Sequence, residues 1–382
     1  MEKKPIILIP GIQGTKLSSI NEVDFKAIWS GVKKYFSNIH RLTLQFDGES
    51  DKGPENIIER ADVENLAYSE IVNYLRSIGY RVFIFGYDWR KSNEKSAEEL
   101  SKFVKKIQRK LNESKINFLT HSMGGLVLSA YMKKLSLEET DRIINKIIFT
   151  VPPFLGSIEA TFNLVIGKSR LFNSSDDFRK IGRTFPGLYE LLPVYKNSYV
   201  FEDNSEFNFF DFHTYWQQVE HNSKKPLEKY RVIINRLAKL KEVRNQNNYI
   251  FNLSKLDSKI RKRLIILVGG GEKTQTKILI RKNMDRYKYF FDFEEFNDEE
   301  NDAGDGTVPL VSSAVFKESI TTLKIDTTWF EKRIDSKFIM SDWHAFFLNN
   351  GKIQNIIKRF FTPNFEYKEG WFQSAGKRIE KL

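Results

Sequence analysis

The apolar positions of the chain follow two alternating patterns. Short runs rich in β-branched residues, typical of buried strands, occupy residues 5–9, 81–85, 116–119, 146–151 and 263–268. Between these runs, apolar residues recur every three or four positions, as in amphipathic helices, around residues 71–78, 100–111 and 128–132. The alternation of strands and helices predicts an α/β fold with a mainly parallel central sheet flanked by helices.

Two stretches interrupt this alternation. The first, 18–62, follows the first predicted strand, and the second, 158–260, separates the fourth predicted strand from the fifth. The longer stretch is dense in aromatic residues, as expected of a cap over a binding site. We therefore predict a core formed by residues 1–157 and 261–382, a small insertion at 18–62, and an aromatic-rich cap or lid at 158–260. The acidic run at 292–305 is predicted to be a surface loop.

The small insertion contains an aromatic segment flanked by lysines. Its apolar residues recur at helical spacing and are Phe25, Ile28, Trp29, Val32, Tyr35 and Phe36. This pattern predicts a helix over residues 25–36 whose apolar face lies in the surface of an anionic membrane. The alternative is that the same face packs on the core.

The strongest candidate for chemistry is the sequence His-Ser-Met-Gly-Gly at residues 121–125, between an apolar run and a helical pattern. A serine in this context occupies a tight strand-to-helix turn with its hydroxyl exposed. Gly124 and Gly125 are expected to avoid collisions with neighbouring elements at so sharp a turn. Thr120 replaces the glycine that usually opens this motif. Ser122 is therefore predicted to be a nucleophile, and the alternative is that it only caps the following helix.

A serine nucleophile needs a histidine base and a carboxylate that orients it, and in this setting they follow the serine along the chain. Of the five histidines, His344 alone has the expected position, in a loop before a final helical segment. His121 adjoins the serine, so it is expected to point away across the turn and to have a supporting role. The alternative for His344 is a cap for the helix behind it.

The predicted acid lies in the sequence Gly-Asp-Gly-Thr-Val-Pro at residues 304–309. The glycines that flank Asp305 allow a tight turn, from which the carboxylate can reach the histidine. Asp302 and Asp342 remain alternative acids. A calcium loop does not fit, because its spacing would place Ala303 and Ser312 at ligand positions.

The reaction also needs backbone N–H donors for the developing negative charge on the substrate oxygen. Met123, which follows the nucleophile, is predicted to supply one donor. Ile12, in the glycine-containing loop at residues 10–14, is predicted to supply the other, with Gly11 and Gly14 supporting the loop. This loop lacks the spacing of a dinucleotide site.

Composition limits the class of protein. Without cysteine, the chain has no disulfide, no thiolate metal site and no cysteine nucleophile. Neither a secretory leader nor a run of about 18 apolar residues is evident, so we expect a cytoplasmic protein that contacts membranes only peripherally. The net charge of +12 favours anionic partners or reflects a lysine-rich surface, and no recognition motif supports nucleic-acid binding.

Several motifs occur in the order found in one known family. They are Leu-Ile-Pro-Gly at 8–11, Gly-Thr-Lys-Leu at 14–17, Ile-Trp at 28–29, Tyr-Asp-Trp-Arg at 87–90, His-Ser-Met-Gly-Gly at 121–125, Pro-Phe-Leu-Gly-Ser at 153–157, Phe-Pro-Gly-Leu-Tyr at 185–189, Leu-Leu-Pro at 191–193 and Gly-Asp-Gly-Thr-Val-Pro at 304–309. With His344 in the position of the family's histidine, the chain resembles the lecithin:cholesterol acyltransferase family, which includes lysosomal phospholipase A and the phospholipid:diacylglycerol acyltransferases.

The resemblance implies an α/β-hydrolase core with a cap and a membrane-contacting subdomain at 18–62. It implies acyl-enzyme chemistry on lipid esters, without metal or cofactor, and a structural role for Asp88 and Arg90 in holding loops beside the site. Unlike the family's extracellular members, this chain has no disulfides. Thr120 also differs from the small residue common at that position.

The predicted function is thus that of a serine hydrolase or acyltransferase acting on lipid esters. Two alternatives remain, namely an esterase or thioesterase for a soluble acyl substrate and an inert scaffold of the same fold. The acyl donor, the acyl acceptor and the oligomeric state cannot be read from the sequence. The candidates for the substrate pocket or lid are Trp29, Phe154, Leu155, Phe185 and Tyr189.

Overall fold

The computed structural model describes residues 2–19, 27–29, 39–45, 47–53, 58–165, 180–201, 252–283, 288–292, 299–326, 343–368, 370–375 and 378–382. The strands are, in chain order, β1 (Ile6–Ile9), β2 (Thr15–Ser19), β3 (Ala27–Trp29), β4 (Ile58–Val63), β5 (Val82–Ile84), β6 (Ile116–His121), β7 (Ile144–Thr150), β8 (Tyr199–Phe201), β9 (Leu264–Gly270), β10 (Glu272–Gln275), β11 (Ile278–Asn283), β12 (Lys288–Asp292), β13 (Glu299–Gly304), β14 (Thr321–Asp326) and β15 (Ile379–Lys381).

The described α-helices lie between these strands along the chain, except within β1–β4 and β9–β13, where strands follow one another without an α-helix between described strands. They are α1 (Asn65–Ser77), α2 (Asn93–Leu111), α3 (Gly124–Lys133), α4 (Leu137–Ile143), α5 (Ile158–Val165), α6 (Pro186–Tyr189), α7 (Ser258–Arg261), α8 (Leu310–Ser313) and α9 (Gly351–Phe361). Short 3-10 helices span Ile39–Leu42, Leu253–Lys255, Phe347–Asn349 and Gln373–Ala375.

Seven strands form the central sheet in the order β15-β14-β9-β7-β6-β1-β5. All neighbours in this sheet are parallel except β14 and β15, which are antiparallel. All five strands predicted from the sequence belong to it, whereas β14 and β15 at one edge were not predicted. This mainly parallel sheet, flanked by helices, confirms the predicted α/β-hydrolase fold.

Both faces of the sheet are covered by helices, as parallel sheets require. Alternate residues of β1 show the two faces, since Ile7 and Ile9 pack in the same core cluster as apolar residues of α2 and α3. Ile6 and Leu8 belong to the opposite cluster, which includes residues of α1 and α9. A strand buried on both faces is apolar throughout, which is why β1 reads Ile-Ile-Leu-Ile.

The two long helices after β4 and β5 begin and end at identifiable caps. The Glu64 side chain accepts from the N–H of Leu66 at the start of α1. At the start of α2, the Ser92 hydroxyl accepts from the N–H of Lys95, and Asn112 ends this helix in the left-handed conformation. Because the caps fix both ends of α2, its buried face is aligned with the sheet and with α3.

The described part of the small insertion forms an antiparallel sheet in the order β3-β2-β4. The helix predicted over 25–36 is therefore wrong at Ala27–Trp29, which pairs with β2. Ile28 and Trp29 favour strands as well as helical faces, and the neighbouring β2 backbone decides between them. The remaining residues of that predicted helix lie outside the described residues.

Two further small sheets lie outside the central one. Strands β10 and β13 form an antiparallel pair, and β11 pairs with β8 and β12. The surface loop predicted at 292–305 is therefore wrong at β13. This acidic strand is defined by backbone pairing with β10, which no hydrophobic pattern signals.

The predicted cap is described at residues 158–165, 180–201 and 252–260, where it contributes α5, α6, β8, a 3-10 helix and the start of α7. Residues 166–179 and 202–251 lie outside the described residues, so a separate cap over the site stays a prediction. Within the described part of the chain, no helix is both long and apolar enough to cross a bilayer.

Candidate active site

Ser122 lies at the turn between β6 and α3, at the carboxyl edge of the central sheet. Its φ angle is 52°, a value that residues with side chains rarely adopt and that turns the backbone sharply from strand to helix. The Ser122 N–H donates to the carbonyl of Thr150, 2.9 Å away, so the turn stays attached to β7. The serine thus precedes a helix N-terminus, which favours negative charge near its hydroxyl.

Glycines allow the close packing around this turn. A Cβ on Gly124 would lie 2.4 Å from the carbonyl oxygen of Ile9, and a Cβ on Gly11 would lie 2.9 Å from the Cβ of Ser122. Neither position has room for a side chain, because the neighbouring atoms belong to backbone or to the serine itself. The predicted supporting roles of Gly11 and Gly124 therefore have a steric basis.

The structure accommodates the threonine that replaces the first glycine of the motif. Thr120 is fully buried on β6, and its carbonyl accepts from the hydroxyl of Thr150 at 2.6 Å. Its own hydroxyl lies 3.5 Å from the position of a Cβ on Gly125, an ordinary contact distance. The threonine side chain therefore fits beside the turn.

His344 connects the serine to an acid. Its Nε2 lies 2.8 Å from Ser122 Oγ, and its Nδ1 lies 2.7 Å from Asp305 Oδ2. The three residues are buried, with exposed fractions of 5% for Ser122, 2% for His344 and 2% for Asp305. The structure therefore brings the three predicted catalytic side chains into one hydrogen-bonded chain.

The turn at Asp305 holds the carboxylate through its second oxygen. Oδ1 accepts from the N–H groups of Thr307 at 3.0 Å and Val308 at 2.7 Å. Gly306 has a φ angle of 90°, which glycine adopts without strain, and its N–H donates to Thr274 Oγ1 at 2.9 Å. Of the alternative acids, Asp302 lies on β13 and Asp342 lies outside the described residues. Asp305 is therefore the carboxylate that faces the histidine.

The predicted N–H donors for the substrate oxygen flank the serine. Met123 follows it in sequence, and Ile12 lines the same cleft as Ser122. Among the hydrogen bonds between described residues, neither the Ile12 N–H nor the Met123 N–H has an acceptor. Both groups can therefore bind an oxygen of a substrate without breaking one of these bonds.

His121 contacts Tyr68 and His344 instead of the serine hydroxyl. Its Nδ1 lies 2.8 Å from Tyr68 Oη, and its Nε2 lies 2.8 Å from the backbone oxygen of His344. Burial lowers the pKa of His121 to about 3, so its ring is neutral at pH 7. His121 is thus the neutral neighbour of the candidate base.

The segment from Tyr87 to Arg90 holds loops that lead to the site. The Tyr87 hydroxyl donates to the carbonyl of Pro10 at 3.0 Å, and the indole N–H of Trp89 donates to the carbonyl of Thr15 at 3.0 Å. Arg90 is fully buried and forms ion pairs with its neighbour Asp88 and with Asp51. Its guanidinium also donates to the carbonyl of Leu42 at 2.8 Å. Arg90 and Asp88 thus join this segment to the loops that carry Leu42 and Asp51.

A cleft opens beside the serine hydroxyl. Its lining is largely apolar and consists of Ile12, Ser122, Pro153, Ser157, Glu159, Ala160, Leu191, Thr307 and Val308. No group of three histidine, aspartate or glutamate side chains able to hold a metal ion occurs among the described residues. The cleft thus offers apolar walls next to a hydroxyl.

The aromatic candidates for the pocket lie in the core rather than on this cleft. Phe154 packs against Phe149 and Phe316, and Phe185 packs against Trp89. Leu155 and Tyr189 are buried in the same core cluster, and the side chain of Trp29 lies outside the described residues. None of these four buried residues lines the cleft, although Pro153 and Leu191, which lie within one or two positions of Phe154, Leu155 and Tyr189, do.

The sequence did not reveal several residues of the site. Tyr68 looks like one more apolar position on the buried face of α1, together with Ile71 and Leu75. Glu159 and Ala160 lie in α5, the first described helix after β7. Their position along the chain could have identified them as lining residues. Ligands bind beyond the carboxyl ends of parallel strands, so the start of that helix could have been proposed as lining.

Known proteins share sequence or fold with this chain. A family model described as lecithin:cholesterol acyltransferase matches residues 57–325, more than two thirds of the chain. Lecithin-cholesterol acyltransferase-like 4 from Arabidopsis thaliana is 26% identical over 235 residues, 50% of this chain and 44% of that protein. Phospholipase A(1) LCAT3 from the same organism is 24% identical over 139 residues, 33% of this chain and 31% of that protein.

The matches to these relatives therefore span less than half of their length. Among solved structures, a chain of the Tle4-Tli4 complex superposes with a TM-score of 0.61 at 14% identity, covering 95% of this chain and 99% of that chain. At this identity the likeness concerns the fold alone.

Proposed function

Because the chain belongs to the lecithin:cholesterol acyltransferase family, we propose that it is a serine-dependent hydrolase or acyltransferase for lipid esters. The observation that carries the proposal is the position of His344, which contacts Ser122 Oγ with one ring nitrogen and Asp305 with the other. A buried imidazole between a hydroxyl and a carboxylate can take the hydroxyl proton while the carboxylate stabilises the resulting positive charge.

The first half of the proposed reaction forms an acyl-enzyme. Ser122 Oγ attacks the ester carbonyl carbon and transfers its proton to His344 Nε2. The negative charge on the tetrahedral oxygen is stabilised by the N–H groups of Ile12 and Met123 and by the N-terminus of α3. The intermediate then loses its alcohol, which takes the proton from His344, and the acyl group remains on Ser122.

The second half repeats these steps with a new nucleophile. Water, or an acceptor alcohol, gives its proton to His344 Nε2 as its oxygen attacks the acyl carbonyl. Collapse of the second tetrahedral intermediate breaks the bond to Ser122 Oγ, which recovers its proton from the imidazolium. Water yields a free fatty acid, and an alcohol yields a new ester.

The lining of the cleft supports a substrate with an apolar acyl chain. Ile12, Ala160, Leu191 and Val308 present aliphatic surface next to the serine hydroxyl. Burial of a methylene contributes about 0.8 kcal/mol, so each added carbon that enters the cleft strengthens binding. We expect kcat/KM to rise with acyl length, and a preference for acetyl esters would favour a soluble substrate instead.

Peripheral contact with an anionic membrane is part of the same proposal. Its support is the net charge of +12, which attracts an acidic bilayer surface. Vesicle sedimentation tests it, with phosphatidylglycerol vesicles expected to retain the protein more than phosphatidylcholine vesicles at low salt. Equal retention on the two kinds of vesicle would show that electrostatic attraction does not contribute to membrane binding.

The decisive experiment labels the wild-type protein with a fluorophosphonate and identifies the modified residue by mass spectrometry. Labelling at Ser122 and release of fatty acid from phospholipid vesicles are expected. Ser129→Ala is the matched control for loss of a serine that is not the proposed nucleophile. This buried serine lies on α3 and donates to the carbonyl of Gly125. Labelling elsewhere, or no turnover of any ester, would contradict the proposal.

A further inference from the structure

A buried row of hydrogen bonds runs beside the proposed catalytic residues. The Gly11 N–H donates to Tyr68 Oη at 2.9 Å, Tyr68 Oη lies 2.8 Å from His121 Nδ1, and His121 Nε2 lies 2.8 Å from the backbone oxygen of His344. Both side chains are buried. The proposed reaction uses neither of them, so their arrangement needs another explanation.

The direction of each bond in this row is determined. A carbonyl oxygen only accepts, so His121 Nε2 carries a proton. Burial keeps the His121 ring neutral at pH 7, and its Nδ1 is therefore an acceptor. Tyr68 must then donate to Nδ1, while its oxygen accepts from Gly11. Each donor in the row has one acceptor, and no polar atom of the two rings is left without a partner.

The two ends of the row are parts of the proposed machinery. Gly11 directly precedes Ile12, whose N–H faces the substrate oxygen in the proposed reaction. The other end is the backbone of His344, the proposed base. The row therefore spans the distance between the loop that holds the N–H donor and the loop that holds the base.

Close packing leaves the tyrosine hydroxyl little freedom. A Cβ on Gly14 would lie 2.7 Å from Tyr68 Oη, and a Cβ on Gly11 would lie 3.2 Å from His121 Nδ1. The two rings meet edge to face with their centroids 5.6 Å apart. The spacing between the two loops is thus determined by rigid rings rather than by long, rotatable side chains.

We infer that Tyr68 and His121 are positioning residues that hold the 10–14 loop and the His344 backbone at the separation required for acyl transfer. The inference rests on the proposed function and extends it to two side chains that make no hydrogen bond to Ser122 among the described residues. Their effect is expected in kcat, because the groups they hold act on the transition state rather than on the bound ester.

Three variants test the hydrogen bonds at the two ends of the row separately. Tyr68→Phe removes only the hydroxyl and frees the Gly11 end. His121→Gln can place its amide N–H near the position of Nε2 and keep the bond to His344, whereas His121→Asn can place its amide oxygen near Nδ1 and keep the bond to Tyr68. Tyr80→Phe is the matched control, since Tyr80 is buried against Phe361 in the core, away from the serine.

The assay measures kcat and KM on a soluble p-nitrophenyl ester, together with inhibition by phenylboronic acid, a mimic of the tetrahedral intermediate. We expect kcat of Tyr68→Phe to fall about tenfold to a hundredfold with KM within a factor of two, and boronate inhibition to weaken in parallel. His121→Asn should lose a similar factor in kcat. Tyr80→Phe should keep wild-type values for all three quantities.

The outcomes distinguish this inference from the proposed function. If wild-type protein turns over the ester and Tyr68→Phe keeps kcat within twofold, the inference is overturned while the proposed function stands. A fall in kcat that matches the unfolded fraction, measured by thermal melting, would overturn it as well. If the histidine variants do not fold, Tyr68→Phe alone decides. A wild-type protein without esterase activity or serine labelling would refute the proposed function itself.

Discussion

The turns that carry Ser122 and Asp305 hold their side chains in different ways. At the serine, the backbone does the positioning, through a positive φ angle and through contacts that leave no room for a Cβ on Gly124. At the aspartate, the side chain itself is held, because Oδ1 accepts two backbone N–H groups while Oδ2 faces His344. At the serine turn, backbone conformation and packing place the side chain, whereas at the aspartate turn hydrogen bonds hold the side chain itself.

This difference has a chemical reason. The serine oxygen must form and break a covalent bond, so it cannot also be restrained by strong hydrogen bonds from the protein backbone. The aspartate only orients and stabilises the imidazole, so one of its oxygens is available to be fixed. Substitutions at Gly124 and at Asp305 therefore test a steric and a polar restraint, respectively.

The largest effect is expected from removal of the serine hydroxyl. Ser122→Ala keeps the Cβ and the backbone of the turn, so the melting temperature should stay close to that of the wild type. The rate should fall on the order of a millionfold, as in other enzymes whose catalytic residues act as a unit. His344→Ala should be about as damaging. Residual ester hydrolysis above roughly a hundredth of the wild-type rate would reject Ser122 as nucleophile.

A smaller but still large effect is expected from Asp305→Asn. The amide oxygen can take over the bonds to Thr307 and Val308, which leaves the amide N–H directed at His344 Nδ1. The imidazole must then carry its proton on Nε2, where it cannot accept from the serine. A loss of about 10⁴ in kcat with an unchanged fold is expected. Greater damage from Asp302→Asn or Asp342→Asn would show that the acid is misassigned.

Gly124→Ala tests the steric side of the comparison. The new Cβ would lie 2.4 Å from the carbonyl oxygen of Ile9 and 2.6 Å from that of Pro10, so β1 and the following loop must shift. Overpacking of this kind costs about 1–3 kcal/mol in the free energy of unfolding. Urea denaturation measures it, with Gly351→Ala as control, because a Cβ on Gly351 would meet no atom within 4 Å. Equal stability of the two variants would contradict the steric account.

An effect of similar size to that at Gly124 concerns the pH dependence of stability. Burial lowers the pKa of His121 to about 3, below its ordinary value of 6.5, so the unfolded chain binds a proton here that the folded chain does not. The stability that depends on this neutral ring is fully present above pH 6.5 and is lost as the pH falls from 6.5 towards 3. Between pH 7 and pH 4.5, the free energy of unfolding should therefore fall by about 2 kcal/mol less in His121→Gln than in the wild type. If the free energy of unfolding of both proteins changed with pH in the same way, the neutral His121 ring would not be the source of this pH dependence.

Hydrophobic patterns predicted the central strands β1, β5, β6, β7 and β9 because these strands are buried on both faces. The family resemblance stated from the motifs is confirmed, as is the fold class. In the site, the sequence named Ser122, Asp305 and His344, which the structure brings into contact although 222 residues separate the first from the last. Their roles in catalysis stay predictions until the variants above are measured.

The misses have a common physical origin in contacts between distant segments. The edge strand β15 and the acidic strand β13 are defined by pairing with β14 and β10, and no local pattern records such a partner. Tyr68 matters through its hydroxyl, but its position along α1 is indistinguishable from an ordinary core position. Phe154, Phe185 and Tyr189 were predicted to contact substrate because a sequence pattern does not distinguish an aromatic residue that lines a pocket from one that is buried in the core.

The small insertion enters and leaves the core at a single place. Thr15, just before the insertion, pairs with Val63, just after it, and the carbonyl of Thr15 accepts from the indole N–H of Trp89. Loop-closure entropy grows slowly with length, so residues between two paired ends can be added or removed at little thermodynamic cost. An exchanged insertion would nevertheless have to keep Leu42 and Asp51, because the fully buried Arg90 guanidinium donates to the carbonyl of the first and pairs with the carboxylate of the second.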